Sequence, residues 1–319
     1  MKKLVSFVIP CYRSAATLPD VIREIQETMV KMDHYDYEII LVNDCSPDDT
    51  FDTIKRLCQE GDHITGIDLA RNFGQHSALM AGFHYVKGEI IICLDDDGQT
   101  PAEEAGKLLQ GIEEGADVVY AKYGHKHHSG FRNWGSRVNE LMTRVMLGKP
   151  KELYLSSYFA ARRFVVEEMI RYEYAYPYVI GLVLRTTKNI INVEVEHRDR
   201  LAGTSGYTMG KLLNLWFNGF TAFSVKPLRV ATITGAGCAF VGFLYGIYTI
   251  IKKLFLNPPD LVTGFSALMS VLVFMGGVMM LMMGLIGEYM GRMYISMNNS
   301  PQFVIREMTG ERKKEYEEN

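Results

Sequence analysis

The chain has 319 residues, of which 48% are hydrophobic and only ten are proline; this is enough for one large domain, or a domain with an appendage, and excludes a disordered tail or a disulfide knot. A formal charge of −3 supplies no global basic field, so wholesale nucleic-acid binding lacks electrostatic support and any anionic partner must be met locally. The five cysteines, an odd number without CxxC spacing, fit reduced core residues of a cytosolic compartment better than disulfides or zinc.

No secretory signal is expected, because Met1–Lys3 lead directly into the strand-like VSFVIPCY. Strands are predicted over Leu4–Tyr12, Tyr37–Asp44, Ile64–Ala70, Glu89–Asp95 and Ala116–Tyr123, separated by helices over about Leu18–Met32, Asp49–Glu60, Gln75–Tyr85 and Ala102–Glu114. Continuous apolar strands alternating with amphipathic helices imply an α/β fold, a mostly parallel sheet covered on both faces. Ligands bind such sheets beyond the carboxyl ends of the strands. Polar clusters fall at those ends: CYRSAAT, NDCSPDDT, RNFGQHS and DDDGQTP, in chain order.

The composition changes near Pro227. Val230–Ile251 and Gly264–Ile286 are uncharged apolar runs, each long enough to span a hydrocarbon core. Joined by the short KKLFLNPPDLVT, they predict a hairpin with both ends on one side. Lys211, Lys226 and Arg229 precede it and Arg292, Arg306, Arg312, Lys313 and Lys314 follow it, against Lys252 and Lys253 in the connection. This asymmetry puts the N-terminal domain and the C-terminal tail in the cytoplasm, in a multi-pass protein of the inner membrane. Before the hairpin, Tyr207–Arg229 spaces Leu212, Leu215, Trp216 and Phe220 near helical period with basic residues at its ends, the profile of an interfacial helix or of a core helix at the base of the domain. The expected divisions are a catalytic domain over 1–206, a juxtamembrane helix over 207–229, the hairpin over 230–287 and a tail over 288–319.

The acids Asp95, Asp96 and Asp97 stand where a buried strand emerges. In extended chain the outer two face one way, so Asp95 and Asp97 can converge while Asp96 faces elsewhere. Two converging carboxylates repel unless a cation lies between them; Mg2+ or Mn2+, taking oxygen ligands and keeping positions for phosphate oxygens, removes that repulsion. Helix capping by Asp97 or Thr100 before Pro101 explains one acid, not three. At the second cluster, Asp44 is placed to accept from a pyrimidine N–H or ribose hydroxyls, or else to sit in a turn capped by Ser46, Pro47 and Asp48. His125, His127 and His128 sit in the basic, aromatic run Lys122–Arg137, which reads as a solvated loop or a surface for anionic headgroups, not as a metal site.

The order SFVIPCYRSAATLPDVI, EIILVNDCSPDDT, GIDLARNFGQHSALMAGF, IICLDDDGQTPAE resembles the successive signatures of inverting family 2 glycosyltransferases of GT-A fold. HRDRLAGTSGYTMGKLLNL is similar to the R-x-x-G-x-S-x-Y segment of the branch that moves sugars from nucleotides to polyisoprenyl phosphates, and GEYMGRMY to its tail. That branch holds dolichol-phosphate mannose synthase and bacterial undecaprenyl-phosphate glucosyl and aminoarabinose transferases. The resemblance implies a UDP-sugar donor, an undecaprenyl phosphate acceptor, Mg2+ or Mn2+ held by Asp97 and Asp95, and a homo-oligomer, a tetramer in relatives. It implies that Pro10, Tyr12, Asp44, Arg71 and Asp96 surround the nucleotide, and that Gln99 lies near the sugar or acceptor. Arg200, Ser205, Tyr207 and Arg132 would meet the diphosphate or the acceptor phosphate; Arg71 reads equally as a buried arginine paired with an acid, and Arg198 as a solvated charge.

Where relatives carry an acid in a GDFR-like stretch, LSSYFAARR offers Ser157. A phosphate acceptor tolerates this, because a phosphate monoester with a second pKa of about 6 is already largely a dianion and attacks without a general base. The absence of Q-x-x-R-W argues against a processive polysaccharide synthase. Two alternatives remain open: a catalytically idle, membrane-anchored nucleotide-binding scaffold, which has no need of a repulsive acid pair, and transfer to a glycolipid hydroxyl, which needs a base that the sequence does not offer.

Overall fold

The computed structural model describes residues 2–123, 149–150, 152–196, 198, 265–297 and 300–310, with scattered positions between 233 and 255. The chain divides into two compact units, Met1–Leu212 with Asn299–Asn319, and Leu213–Asn298.

The first unit is built on an eight-stranded sheet. In chain order its elements are β1 (Lys3–Cys11), α1 (Leu18–Lys31), β2 (Tyr35–Asn43), α2 (Thr50–Glu60), β3 (Ile64–Leu69), α3 (Gln75–Phe83), β4 (Ile90–Cys93), α4 (Ala105–Glu113), β5 (Val118–Tyr123), β6 (Phe159–Arg162), α5 (Arg163–Ile170), α6 (Val179–Thr186) and β7 (Ile190–Val195). The strand β8 (Ile305–Gly310) closes the sheet from the far end of the chain. Across the sheet the order is β7-β5-β6-β4-β1-β2-β3-β8. The pairs β1/β2, β2/β3, β1/β4 and β5/β7 are parallel, while β6 runs antiparallel to β4 and β5, and β8 antiparallel to β3. The five strands and four helices expected between Leu4 and Tyr123 are each found within about three residues of their expected ends, because runs such as FVIPC and EIILVN are buried on both faces.

One face of the sheet packs Ile9, Leu41, Ile92 and Val119 against Leu18, Ile22 and Ile25 of α1 and Leu108 and Ile112 of α4. Each such side chain removed from water contributes roughly 1.5–3 kcal/mol. The other face receives α3, whose Gly82 lies so close to the sheet that a Cβ there would meet Val8 Cγ1 at 2.5 Å. Going outward from β1, the chain winds through β2 and β3 on one side and resumes at β4 on the other. The crevice beyond the carboxyl ends of β1 and β4 is therefore a topological switch point, where such sheets bind ligands.

In the second unit, α7 (Phe265–Met297) is one continuous 33-residue helix. Phe274–Gly291 is apolar enough to cross a membrane, and Phe274, Met280, Met283, Met290 and Met293 are exposed. The described positions from Ile233 to Phe255 are also helical and carry exposed Ile233, Phe240, Val241 and Leu244. The helix runs past the expected hairpin end near Ile286, and the segment read as a tail returns to the sheet as β8. The Tyr207–Arg229 helix and the histidine run fall outside the described residues.

Candidate active site

Three loops meet at the switch point, each held by carboxylates that emerge from a buried strand. Asp96, just beyond β4, turns toward the β1–α1 loop. Its Oδ2 accepts from the Tyr12 backbone N–H at 3.0 Å and from the Ser14 hydroxyl, and its carbonyl accepts from Thr17 Oγ1 at 2.7 Å. Burial raises its pKa against these hydrogen bonds. Asp95 is held by other elements, and Asp96 and Asp97 form a turn after β4 ends at Cys93, so the extended alternation expected of the three acids does not hold. Asp95 Oδ1 accepts from Gln75 Nε2 at 2.9 Å, at the first residue of α3, and its Oδ2 accepts from the Ser157 hydroxyl, just before β6. Burial pushes the Asp95 carboxyl up to about 6; Asp97 and Asp96 add to this, and the Ser157 and Gln75 hydrogen bonds oppose it. Asp97 Oδ1 accepts from the Gln99 backbone N–H at 3.1 Å. The first N–H of the helical turn Ala102–Glu104 donates to Glu24 Oε1 at 3.1 Å, and the N-cap residues of that turn and of α4 make no side-chain cap, so capping is not what the three aspartates do.

The loop after β3 is held by Asp44. This buried carboxylate accepts from the backbone N–H groups of Phe73 at 2.7 Å and Gly74 at 2.8 Å, and its carbonyl accepts from Asn72 Nδ2 at 3.1 Å. Gly74 holds φ at +90°, which lets it turn its N–H to Asp44 and open α3 in one residue. Burial raises the Asp44 pKa and the two N–H groups lower it. No side chain caps α2; Ser46 Oγ instead accepts from the Arg13 N–H at 3.1 Å, and Thr50 Oγ1 donates to Asp48 Oδ1 at 2.7 Å.

Pro10 is a buried residue of β1, and Tyr12 stands 46% exposed at the crevice rim. Arg71 is exposed, its guanidinium 4.5 Å from the Phe73 ring centroid, which excludes a buried arginine. Arg198 is exposed, as a solvated charge is, and it also pairs with Glu24 at 3.1 Å, while its backbone N–H donates to the Gln99 carbonyl at 2.9 Å. Arg132, Arg200, Ser205 and Tyr207 lie outside the described residues.

The sequence did not single out Gln75 and Ser14, nor the role of Ser157 as a partner of Asp95. Tyr123 is a further neighbour: burial pushes its hydroxyl up to about 12, a hydrogen bond with Thr100 opposes this, and the charges of Asp95 and Asp97 add to it. The one available signal was the position of GQHS at a strand end facing DDD.

The donor set fits a hard divalent cation. Asp95, Asp96 and Asp97 repel one another, and among the described residues no three or more His, Cys, Asp or Glu are arranged to hold a metal by themselves. One or two carboxylates that leave room for phosphate oxygens are what Mg2+ uses.

Residues 6–170 match glycosyl transferase family 2, and residues 226–293 match the GtrB C-terminal hairpin. An undecaprenyl-phosphate 4-deoxy-4-formamido-L-arabinose transferase of Pseudomonas aeruginosa is 33% identical over 303 residues, covering 95% of this chain and 89% of the relative. The protein of that description from Yersinia enterocolitica is 35% identical over 309 residues, covering 97% and 94%. Among solved structures, glucosyl-3-phosphoglycerate synthase of Mycobacterium tuberculosis, with phosphoglyceric acid, superposes at a TM-score of 0.51 and 19% identity, covering 67% of this chain and 76% of that one. Its complex with Mn2+, UDP-glucose and phosphoglyceric acid gives a TM-score of 0.51 at 18% identity, with the same coverage. Both structural likenesses speak to the fold, which is GT-A. The chain is a glycosyltransferase, a member of glycosyl transferase family 2 that carries a GtrB-type C-terminal hairpin.

Proposed function

We propose that the protein transfers a sugar from a UDP-sugar to undecaprenyl phosphate at the cytoplasmic face of the inner membrane, with inversion at the anomeric carbon. The observation that carries this reading is the run of three carboxylates, Asp95, Asp96 and Asp97, just beyond the end of β4 at the β1/β4 switch point, with Ser157 hydrogen-bonded to Asp95. The relatives named for undecaprenyl-phosphate transfer support the acceptor.

Asp97 and Asp95 would hold Mg2+ or Mn2+, which supplies charge neutralisation for the departing diphosphate. Asp96 fixes the Tyr12 backbone, and Asp44 fixes the Phe73–Gly74 backbone, so both walls of the nucleoside crevice are held before the donor arrives. The Ser157 hydroxyl donates a hydrogen bond to Asp95 and, as an alcohol, does not replace a carboxylate base. The acceptor needs none: a phosphate monoester attacks as its dianion, and in-line placement with the diphosphate gives inversion in one displacement. Gln99 is held by Asp97 and by the segment Arg198 opens, the segment that carries Arg200, Ser205 and Tyr207 toward the phosphates in this reading. In this reading Arg71, on its Phe73 platform, serves the nucleotide, and Arg132 would meet the acceptor phosphate.

Membrane placement rests on the exposed apolar α7. Because Met1–Leu212 and Asn299–Asn319 belong to one compact unit, the stretch between them leaves and returns to it. This supports an even number of crossings, as a two-span hairpin makes.

The test is transfer by the detergent-purified protein from a panel of labelled UDP-sugars to undecaprenyl phosphate, with Mn2+ or Mg2+. A chloroform-soluble, acid-labile product is expected with one donor. Asp97→Asn is expected to lower its rate by about a hundredfold or more without lowering the melting temperature. UDP binding with no lipid product from any donor would favour the scaffold.

A further inference from the structure

The strand β8 is more than an edge cover. Its register against β3 slips between Asp68 and Leu69: Glu307 faces Asp68 and Ile305 faces Leu69, which leaves Arg306 as the extra residue of a β-bulge. Bulges re-aim a side chain, and this one sends a guanidinium onto the two loops that wall the nucleoside crevice. Arg306 Nη2 donates to the Ala70 carbonyl at 2.7 Å and lies 3.6 Å from Cys45 Sγ, while Nη1 is 3.3 Å from Asp68 Oδ2.

Asp68 is buried, and its other oxygen accepts from Asn43 Nδ2 at 2.7 Å. Asn43 Oδ1 in turn accepts from the Ser46 N–H at 3.2 Å, and Ser46 Oγ from the Arg13 N–H at 3.1 Å. Cys45, inside this chain of bonds, holds φ at +52°, a left-handed conformation that costs a residue other than glycine about 1–3 kcal/mol unless its surroundings impose it. The loop beginning at Ala70 is held again by Ala70 N–H to the Val304 carbonyl at 2.8 Å. The buried Gln302 fastens the lead-in to the carbonyls of Tyr172 and Tyr174 at 2.8 and 3.0 Å.

We infer that Arg306 is a positioning residue for the donor nucleotide: through Asp68 and Asn43 on one side and Ala70 on the other, it sets the spacing of the Asp44–Ser46 and Ala70–Gly74 loops. The donor crevice is thus completed only by residues that follow the apolar helix in sequence. This rests on the nucleotide reading of those loops given above.

The test measures UDP binding by calorimetry, with Mn2+, on the full-length protein in detergent, beside donor and acceptor KM, kcat and melting temperature. Arg306→Ala is expected to weaken UDP binding and raise donor KM about tenfold, the loss of one charge-assisted hydrogen-bond set, with kcat at saturating donor and KM for undecaprenyl phosphate unchanged. Arg306→Lys, which keeps the charge on Asp68 but not the fork, is expected to fall between. Lys55→Ala, which removes the neighbouring ion pair to Glu307, is expected to bind UDP as the wild type does. If Arg306→Ala melts lower yet binds UDP normally well below its midpoint, the strand only stabilises the fold and the inference fails. Should Arg306→Ala not fold, wild-type UDP affinity in Arg306→Lys overturns it equally. Absence of UDP binding in the wild type would defeat the nucleotide reading itself, and this inference with it.

Discussion

At the scale of single residues, the site spends stability on charge. Asp95 has its carboxyl at about 6 in the folded chain against roughly 4 when unfolded. The folded state therefore binds more protons between those values, and stability falls as pH rises from about 4 to about 6. A divalent cation favours the ionised carboxylate and reverses this cost. Titrating Mn2+ against the melting temperature should give a clearly larger rise at pH 7 than at pH 4.5; an equal rise at both would mean that Mn2+ binds away from these acids. The three acids were legible in the sequence as a cluster, whereas the turn at Asp96 and Asp97, which replaces the extended chain expected there, was not. Nor were the partners of the acids. Ser14, Gln75 and Ser157 are ordinary polar residues at the ends of other elements, and only the folded sheet brings them to β4.

At the scale of elements, the sheet was readable wherever both faces are buried. The strands β1 to β5 are near-continuous apolar runs bounded by turn residues. The strands β6, β7 and β8 carried no such signal. FAAR is four residues long, IINVEV is largely half-exposed, and of IREMTG only Met308 is buried. Such edge and antiparallel strands take their pairing from neighbours already in place. Close packing of α3 gives a test at this level. Gly82→Ala places a methyl 2.5 Å from Val8 Cγ1 and 3.2 Å from Val42 Cγ2, and is expected to destabilise the protein by about 1–3 kcal/mol in urea unfolding. No change would mean that α3 slides freely on the sheet, and Gln75 would then not be a fixed partner of Asp95.

At the scale of the whole molecule, one chain combines a GT-A sheet with a helix apolar enough to cross a membrane. The composition break near Pro227 made this legible in the sequence. The return of the chain to the sheet as β8 was not, because a six-residue polar strand after an apolar helix reads as a tail. The hairpin topology can be checked by labelling single cysteines in a background free of the native ones. Asn257→Cys is expected to react with an impermeant maleimide on intact cells, and Asn319→Cys only after permeabilisation; the reverse pattern would invert the orientation and move the donor crevice away from cytoplasmic UDP-sugars.

In the function proposed above, a phosphate and not a hydroxyl attacks the sugar. The most direct test of this claim offers the same UDP-sugar and Mn2+ with undecaprenyl phosphate in one reaction and undecaprenol in the other. Product with the phosphate alone is predicted, and sugar transfer to the alcohol at a comparable rate would contradict the claim.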